Sequence, residues 1–511
     1  MHSAKPRGFR LAALFAVPVL LLAQVAHAQS AGEVEFSRGV GFAQTPGQTP
    51  RTLGKGMTVK EGDRLTTSDG ASAIIKLQDG TRMTVRPNSE LVLQQYQFKE
   101  NAPDNSMLMQ LVRGGFRAVT GVIAKNSPNA ARVQTSTATI GIRGTDFDAR
   151  LCKGDCAGES AKVTDAARPN APLASARIIN SQGEIFATDA KGDRRRVVDG
   201  GAIYPGDLVE TGAGSQAVLA FRDDTRITLG SQTRFRVDNF VFDAKNAGEG
   251  RFLASVLRGS VRALTGLIAK ANNKNVGFAT ATATIGIRGT GFDLKCTGPC
   301  ASEGTGGGGA PGRGTSTSHM GLWELHAALA AQAEAGGTGA GATEASGPGD
   351  DEAGQSDPTG EGLTLWTWLG SIEVGGGQTA LQVLNAGQGL FIPPSGPVQP
   401  IFQQPQMEGP QPNNVQPPPT LFSNDSNVGD GSEGLFVFVR DGHIQIVSAG
   451  QVLDLGRGEA GFSGTGGNVG RPNLIPKFMD FDNIPLPTSN NPLLSAILGE
   501  QGIKNNQVRC Q

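Results

Sequence analysis

A chain that repeats itself once must fold, at least in part, as two copies of one unit, and repetition is the strongest constraint in this sequence. GDRLTT at 62–67 recurs as GDLVET at 206–211, and Thr81-Arg82 as Thr225-Arg226. RGGFRAVTG at 113–121 recurs as RGSVRALTG at 258–266, and TATIGIRGTDFD at 137–148 as TATIGIRGTGFD at 282–293. The offset is 144 residues early, 145 at the last two pairs and 144 again at the cysteines, so one residue gained and one lost explain the drift. Two domains follow, over 31–157 and 174–301, rather than a many-unit solenoid. A length of 511 residues, more than one compact core usually serves, agrees with this.

Inside each copy the hydrophobic period is two. AIIKLQ-DG-TRMTV at 73–85 and AVLAFR-DD-TRITL at 217–229 are apolar or β-branched runs around an acidic turn, which reads as a hairpin. A two-residue loop would put Leu77 on the face of Arg82. A three-residue loop or a bulge pairs Leu77 with Met83 and Ile75 with Val85, and in the second copy Phe221 with Ile227 and Leu219 with Leu229. Further strands are expected at 91–98, 107–119 and 133–140, so the expected fold class is all-β.

After residue 301 the composition changes. Residues 302–361 are rich in Gly and Ser, too poor in apolar side chains to offset their ordering entropy, and read as a flexible low-complexity linker with one short helix in GLWELHAALAAQAEA. A strand pair is expected at 362–394, a Pro/Gln-rich linker at 395–434, a second strand pair at 435–462 and a flexible tail at 463–511. The two pairs share a loose pattern, GSIEV followed by Gly387-Gln388 and GHIQI followed by Gly458-Glu459. They either close the two β domains or form a small third module.

The first 28 residues supply a compartment. Lys5, Arg7 and Arg10 precede the apolar run LAALFAVPVLLLA, and Ala26-His27-Ala28 offers a cleavage site, the pattern of a secretory signal peptide. The apolar core is short against the roughly 20 residues that span a bilayer, and no later segment is long and apolar enough. The expected location is the periplasm or the extracellular space, with no transmembrane segment in the mature chain.

The net charge of -1 lacks the basic excess of a nucleic-acid binder, and no nucleic-acid partner is expected. Both copies lack histidine, since the five are His2, His27, His319, His326 and His443, and this excludes a Ser-His-Asp or Cys-His arrangement within the repeats. A carboxylate mechanism built on Asp146 loses that group at Gly291, and Asp148 and Asp293 read as turn caps or arginine partners. GIRGT is not a phosphate loop, because its glycines are two residues apart and no Lys follows. Gly141, Gly144, Gly286 and Gly289 read instead as marks of a bend or a close strand approach, with Thr145 and Thr290 beside them. Arg143 and Arg288 are expected to pin that bend through backbone carbonyls or a carboxylate, with contact to an acidic partner as the alternative. No catalytic residue, cofactor or resident metal is expected, and the chain reads as a non-enzyme.

In an exported chain, Cys152 with Cys156 and Cys296 with Cys300 read as two local disulfides. One zinc site built from all four thiolates is the alternative. Cys510 is left over.

Together GDRLTT, DGTRMTV, GGFRAVTG and ATIGIRGTDF, with their second-copy counterparts, make the chain resemble a tandem pair of FecR-type domains over most of 31–150 and 174–295. The resemblance implies extracytoplasmic β-rich modules. The founding type relays the occupancy of an outer-membrane receptor to a sigma-factor system through a membrane helix and a cytoplasmic anti-sigma segment. This chain departs from that plan by starting with a leader and showing no later span. What carries over is a binding, sensing or signal-relay module whose partner is an envelope protein or a surface polymer. A surface or matrix scaffold is the alternative.

Overall fold

A computed structural model describes residues 30–126, 130–298, 360–376, 379–425, 427–481, 485 and 487. The leader at 1–28, the helix expected at 321–335, Cys300, Cys510 and the last residues of the tail lie outside the described residues.

The fold is all-β, with only short helices between strands. Its strands fall into two hydrogen-bonded sets. One joins the strands of residues 30–152 to those of 434–470, and the other joins 176–297 to 362–401. The strand pairs after residue 361 therefore complete the two repeats, and in reverse order. Strand Gly362–Leu369 adds to Gly291–Thr297 of the second copy, while Gly434–Ser448 returns to Thr139–Cys152 of the first. Thus the second repeat is nested within the chain path of the first.

Burial explains why each copy needs its closing pair. Leu435, Val437, Val439, Ile444, Ile446, Leu453 and Leu455 lie in one core with Ile75, Phe116, Ile140 and Phe147. Leu363, Leu365, Ile372, Val374, Leu384, Leu390 and Ile392 do the same for the second copy, beside the packed rings of Phe221, Phe252, Phe278 and Phe292. Without these strands each repeat would expose a row of apolar side chains, each worth roughly 1.5–3 kcal/mol on burial.

The hairpins carry the expected three-residue turn, but their pairing is shifted by two residues. Ile75 faces Met83 and Ala73 faces Val85, with Leu77 N–H donating to the Thr81 carbonyl at 2.8 Å; in the second copy Leu219 faces Ile227 and Ala217 faces Leu229. The acidic residue sets this turn. Asp79 accepts from the Thr81 backbone N–H and hydroxyl at 3.1 and 2.8 Å, and Asp223 does the same for Thr225 at 3.1 and 2.9 Å. A shift of two keeps the same faces inward, so the apolar stripe still gathers on the core.

Long strands bend from one layer of each repeat into the other. Arg251–Leu264 pairs through Arg251–Arg258 with Arg234–Val241, then from Gly259 onward with Gly291–Thr297.

Segments after the closing pairs are laid on the outer faces. Strand Gln399–Ile401 extends the second sheet, and Arg226 and Thr228 donate to the carbonyls of Val415 and Pro410 at 3.0 and 2.9 Å. Val415 and Leu421 cover Ile179, Val218 and Ala220. On the first repeat, Ile475, Phe478 and Met479 pack with Phe436, Phe438 and the cysteines Cys152 and Cys156. Outward apolar side chains on both sheets call for such cover, and it orders stretches whose composition alone reads as linker and tail.

Candidate binding cleft between the repeats

The repeated motif folds in the same way in both copies. Gly144 and Gly289 adopt φ of +62° and +70°, and the bends they make are held by threonines. Thr145 N–H donates to Thr120 Oγ1 at 2.7 Å, Thr120 N–H donates to the Thr145 carbonyl at 3.0 Å, and Thr145 Oγ1 donates to the His443 carbonyl at 2.8 Å. In the second copy Thr290 N–H donates to Thr265 Oγ1 at 2.8 Å and Thr290 Oγ1 to the Ser371 carbonyl at 2.7 Å. The closing strand bends against the same place. A Cβ on Gly442 would sit 2.1 Å from the Gly144 carbonyl oxygen, and one on Gly370 would sit 2.3 Å from that of Gly289. Gly141 and Gly286 have no positive φ, and a Cβ on Gly286 would make only ordinary contact with Glu373 at 3.6 Å. So the second glycine of each motif is the one the backbone demands.

The arginines part company. Arg288 forms an ion pair with Glu373 on the adjoining closing strand. At the corresponding register, where Gly286 faces Glu373, Gly141 faces Gln445, so Arg143 has no carboxylate there and instead donates to the Arg196 carbonyl at 3.4 Å.

The single difference between the two motifs is absorbed by its neighbours. In the first copy Arg117 forms a two-pronged pair with Asp146 at 3.1 and 3.0 Å, while the fully buried Asp148 takes Arg440 Nε at 2.8 Å. In the second, Gly291 leaves room for the Trp368 ring, which would lie 2.4 Å from a Cβ, and Arg262 turns to Asp293 at 3.0 Å. Asp293 also accepts from Trp368 Nε1 and Gln404 Nε2 at 3.2 and 2.8 Å. Burial raises the Asp148 carboxyl above its ordinary range, opposed by Arg440, Arg86 and Arg117. Both aspartates are thus bound to arginine in the interior.

Cys152 and Cys156 are joined in a disulfide, with Cα atoms 5.6 Å apart. Cys296 is disulfide-bonded as well. Among the described residues no group of three or more His, Cys, Asp or Glu is placed to hold a metal ion.

Where the two repeats meet, the first motif opens on a cavity of about 440 Å³. Lys125, Arg143 and Gly144 form the wall from the first copy, His443 comes from its closing strand and Arg457 from the turn between its last two closing strands. The opposite wall is the second copy's stretch from Phe186 to Asp207, including Arg194, Arg195, Arg196 and Tyr204. Seven Lys and Arg side chains line the cleft against four Asp. Arg195 pairs with Asp207, Arg194 lies over the Phe186 ring at 3.7 Å, and Lys191 reaches Asp441 at 3.9 Å. Lys125, Arg143, Arg196 and Arg457 form no ion pair among the described residues. His443 lies buried at the base, its ring 5.8 Å from that of Tyr204. Burial, then Arg195, Arg143, Arg177 and Arg457, push its pKa well below the ordinary value, so it is neutral. Burial, followed by Glu459, raises the Tyr204 phenol beyond its usual range.

Sequence reasoning singled out Arg143 and Gly144 but missed Lys125, Arg196, His443 and Arg457, which come from other segments. One usable signal was present. GSIEV aligned on GHIQI sets Glu373 against Gln445, which marks one motif arginine as paired and the other as unpaired.

Fold and site together define a protein of two nested all-β repeats with a basic cleft at their junction. The FecR protein family matches the chain in two segments, residues 63–164 and 207–303, and the chain carries a tandem pair of FecR-type domains. No curated protein matches the chain. Two crystal structures of a "putative anti-sigma factor" from Parabacteroides distasonis align with it at 11% identity and a TM-score of 0.22, covering 38% of this chain and 59% of that one.

Proposed function

We propose that this protein is a non-enzymatic binding and signal-relay module of the cell envelope, exported by its N-terminal leader, and that the junction between its two FecR-type repeats is where it meets its partner. The cleft carries the reading. It is built from both repeats and from the strands that close the first one, so a ligand held there touches both repeats at once. Family membership of the two segments supports a regulatory role, and among the described residues no helix is long and apolar enough to cross a membrane. On this reading the relay passes to a separate envelope component, a protein or a surface polymer.

The test is capture from envelope extract with the chain starting at Gln29 as bait. One saturable partner, lost when the cleft is altered, supports a binding module. Absence of any saturable partner overturns it in favour of a surface or matrix scaffold. Fractionation of expressing cells, with mass spectrometry of the N-terminus, tests export: a cytoplasmic chain retaining Lys5 would overturn it.

A further inference from the structure

The second repeat acts as an internal control for the first. Its motif arginine, Arg288, is neutralised by Glu373, as expected when a guanidinium and a carboxylate share one face of a sheet. At the matching register the first repeat has Gln445 beside Arg143, and its carboxyl stands one strand further on, at the buried Asp454, which faces Gln445 where the second repeat has Val383 facing Glu373. In the turn between the two closing strands, Ala386 of the second repeat corresponds to Arg457 of the first, because Gly387-Gln388 aligns with Gly458-Glu459. Both changes shift the same spot toward positive charge, and Lys125 and Arg196 join from other elements. The shift is offset in part by Asp454, which is buried, does not line the cleft and is shared with Arg177 and Arg471. Three of the four carboxylates that line the cleft have partners of their own. Asp207 is bound to Arg195, and Asp189 accepts the backbone N–H groups of Lys191 and Asp193 at 2.9 Å each. Asp441 stands at the rim, more than half exposed, facing Lys191. Four cations that make no ion-pair contact among the described residues, gathered around one cleft with only the buried Asp454 drawing on Arg143 from behind, repel one another in the free protein, and an anion relieves that repulsion. Guanidinium groups also suit phosphate and carboxylate oxygens geometrically.

We propose that the cleft between the repeats binds its ligand through a compact multivalent anionic group, phosphate or carboxylate, held by Arg143, Arg457, Lys125 and Arg196. The proposal deepens the binding reading above and rests on it, since it names the chemistry of what is bound at the junction.

Calorimetric titration of the chain from Gln29, at low ionic strength to limit screening, with inorganic pyrophosphate and separately with citrate, tests the idea and distinguishes the two anion sources. One saturable event per chain is expected with at least one of the two. Gln445→Glu, which installs the second repeat's own solution, should weaken binding at least tenfold, as should Arg457→Ala. The mirror change Glu373→Gln should leave binding within about twofold, because Arg288 has no such cleft around it. Arg143→Ala serves as the alternative if Gln445→Glu lowers the melting temperature. No saturable binding of either anion overturns the proposal, as does undiminished binding by the folded Gln445→Glu and Arg143→Ala proteins. Partner capture from extract that survives in these same variants would overturn the anion chemistry while leaving the module reading intact.

Discussion

At the scale of single residues, the motif separates into architecture and charge. Threonine does the holding. Thr120 and Thr145 satisfy one another's backbone across two strands in the interior, and Thr265 and Thr290 do so in the second repeat. Thr120→Val keeps the shape and removes the acceptor of a buried N–H, a loss of roughly 1–3 kcal/mol. A clear drop in melting temperature is expected for it, whereas Arg143→Ala, which gives up a 3.4 Å contact to a carbonyl and an attraction to the buried Asp454, should lower it less. Comparing the two melting curves checks which residue pins the bend. The motif arginines were visible in the sequence; their different fates were not, because Glu373 and Gln445 lie 85 and 302 residues downstream of their arginines and only strand pairing brings each beside its motif.

At the scale of elements, the sheets turn their corners by stacking bent strands. Gly442 meets the Gly144 carbonyl so closely that no side chain fits, and its φ of +84° adds a second reason for glycine. Gly450 has a similar φ of +79°, yet a Cβ there would meet nothing within 4 Å. Substituting alanine at each therefore separates strain from crowding. Gly450→Ala should cost about 1 kcal/mol, the ordinary penalty of the left-handed region, and Gly442→Ala several times that, since two bent strands must part. Urea unfolding of the two variants is the measurement, and equal losses would show that the stacked bend is not the constraint. Period-two patterning revealed the strands and the three-residue turn, but not the two-residue shift in pairing. Asp79 and Asp223 select the shifted register through their own hydrogen bonds, an effect that hydrophobic pattern does not register.

At the scale of the whole molecule, the two repeats are joined by buried charge more than by apolar contact. Arg177, wholly buried at the start of the second repeat, pairs with Glu459 of the first repeat's closing turn and donates to the Asp454 carbonyl at 3.3 Å, while Arg471 reaches Glu459 at 3.7 Å. Burial pushes the Asp454 carboxyl up to about 6, against the pull of Arg177 and Arg143, and Glu459, held mainly by Arg177 and Arg471, is lowered. A raised acid means that the folded state binds its proton first. Asp454 therefore weighs against folding at neutral pH, and that penalty is relieved as pH falls through 6 toward the ordinary carboxylate value. Between pH 7 and 5 the stability of the native protein should rise relative to Asp454→Asn, by an amount on the order of 1–2 kcal/mol. Glu459 gives the opposite trend only at lower pH, where its lowered pKa begins to lose the pair. Thermal melts of both proteins across this range check the sign, and parallel curves would count against a strained carboxyl at the junction.

Local sequence was sufficient to declare two β-rich copies, the short cysteine loop now seen as the Cys152–Cys156 disulfide, and the glycine bend of each motif, because these depend on alternation, spacing and the conformational freedom of nearby residues. Tertiary structure alone decided that the closing strands return in reverse order, nesting one repeat within the other. It also decided that Arg143, Lys125, Arg196 and Arg457 share a cleft while Arg288 is neutralised. The physical reason is one of range. Strand periodicity is set by neighbours two residues away, but which strand completes a sheet, and which charge is left unpaired beside it, depends on what else in the chain must be buried.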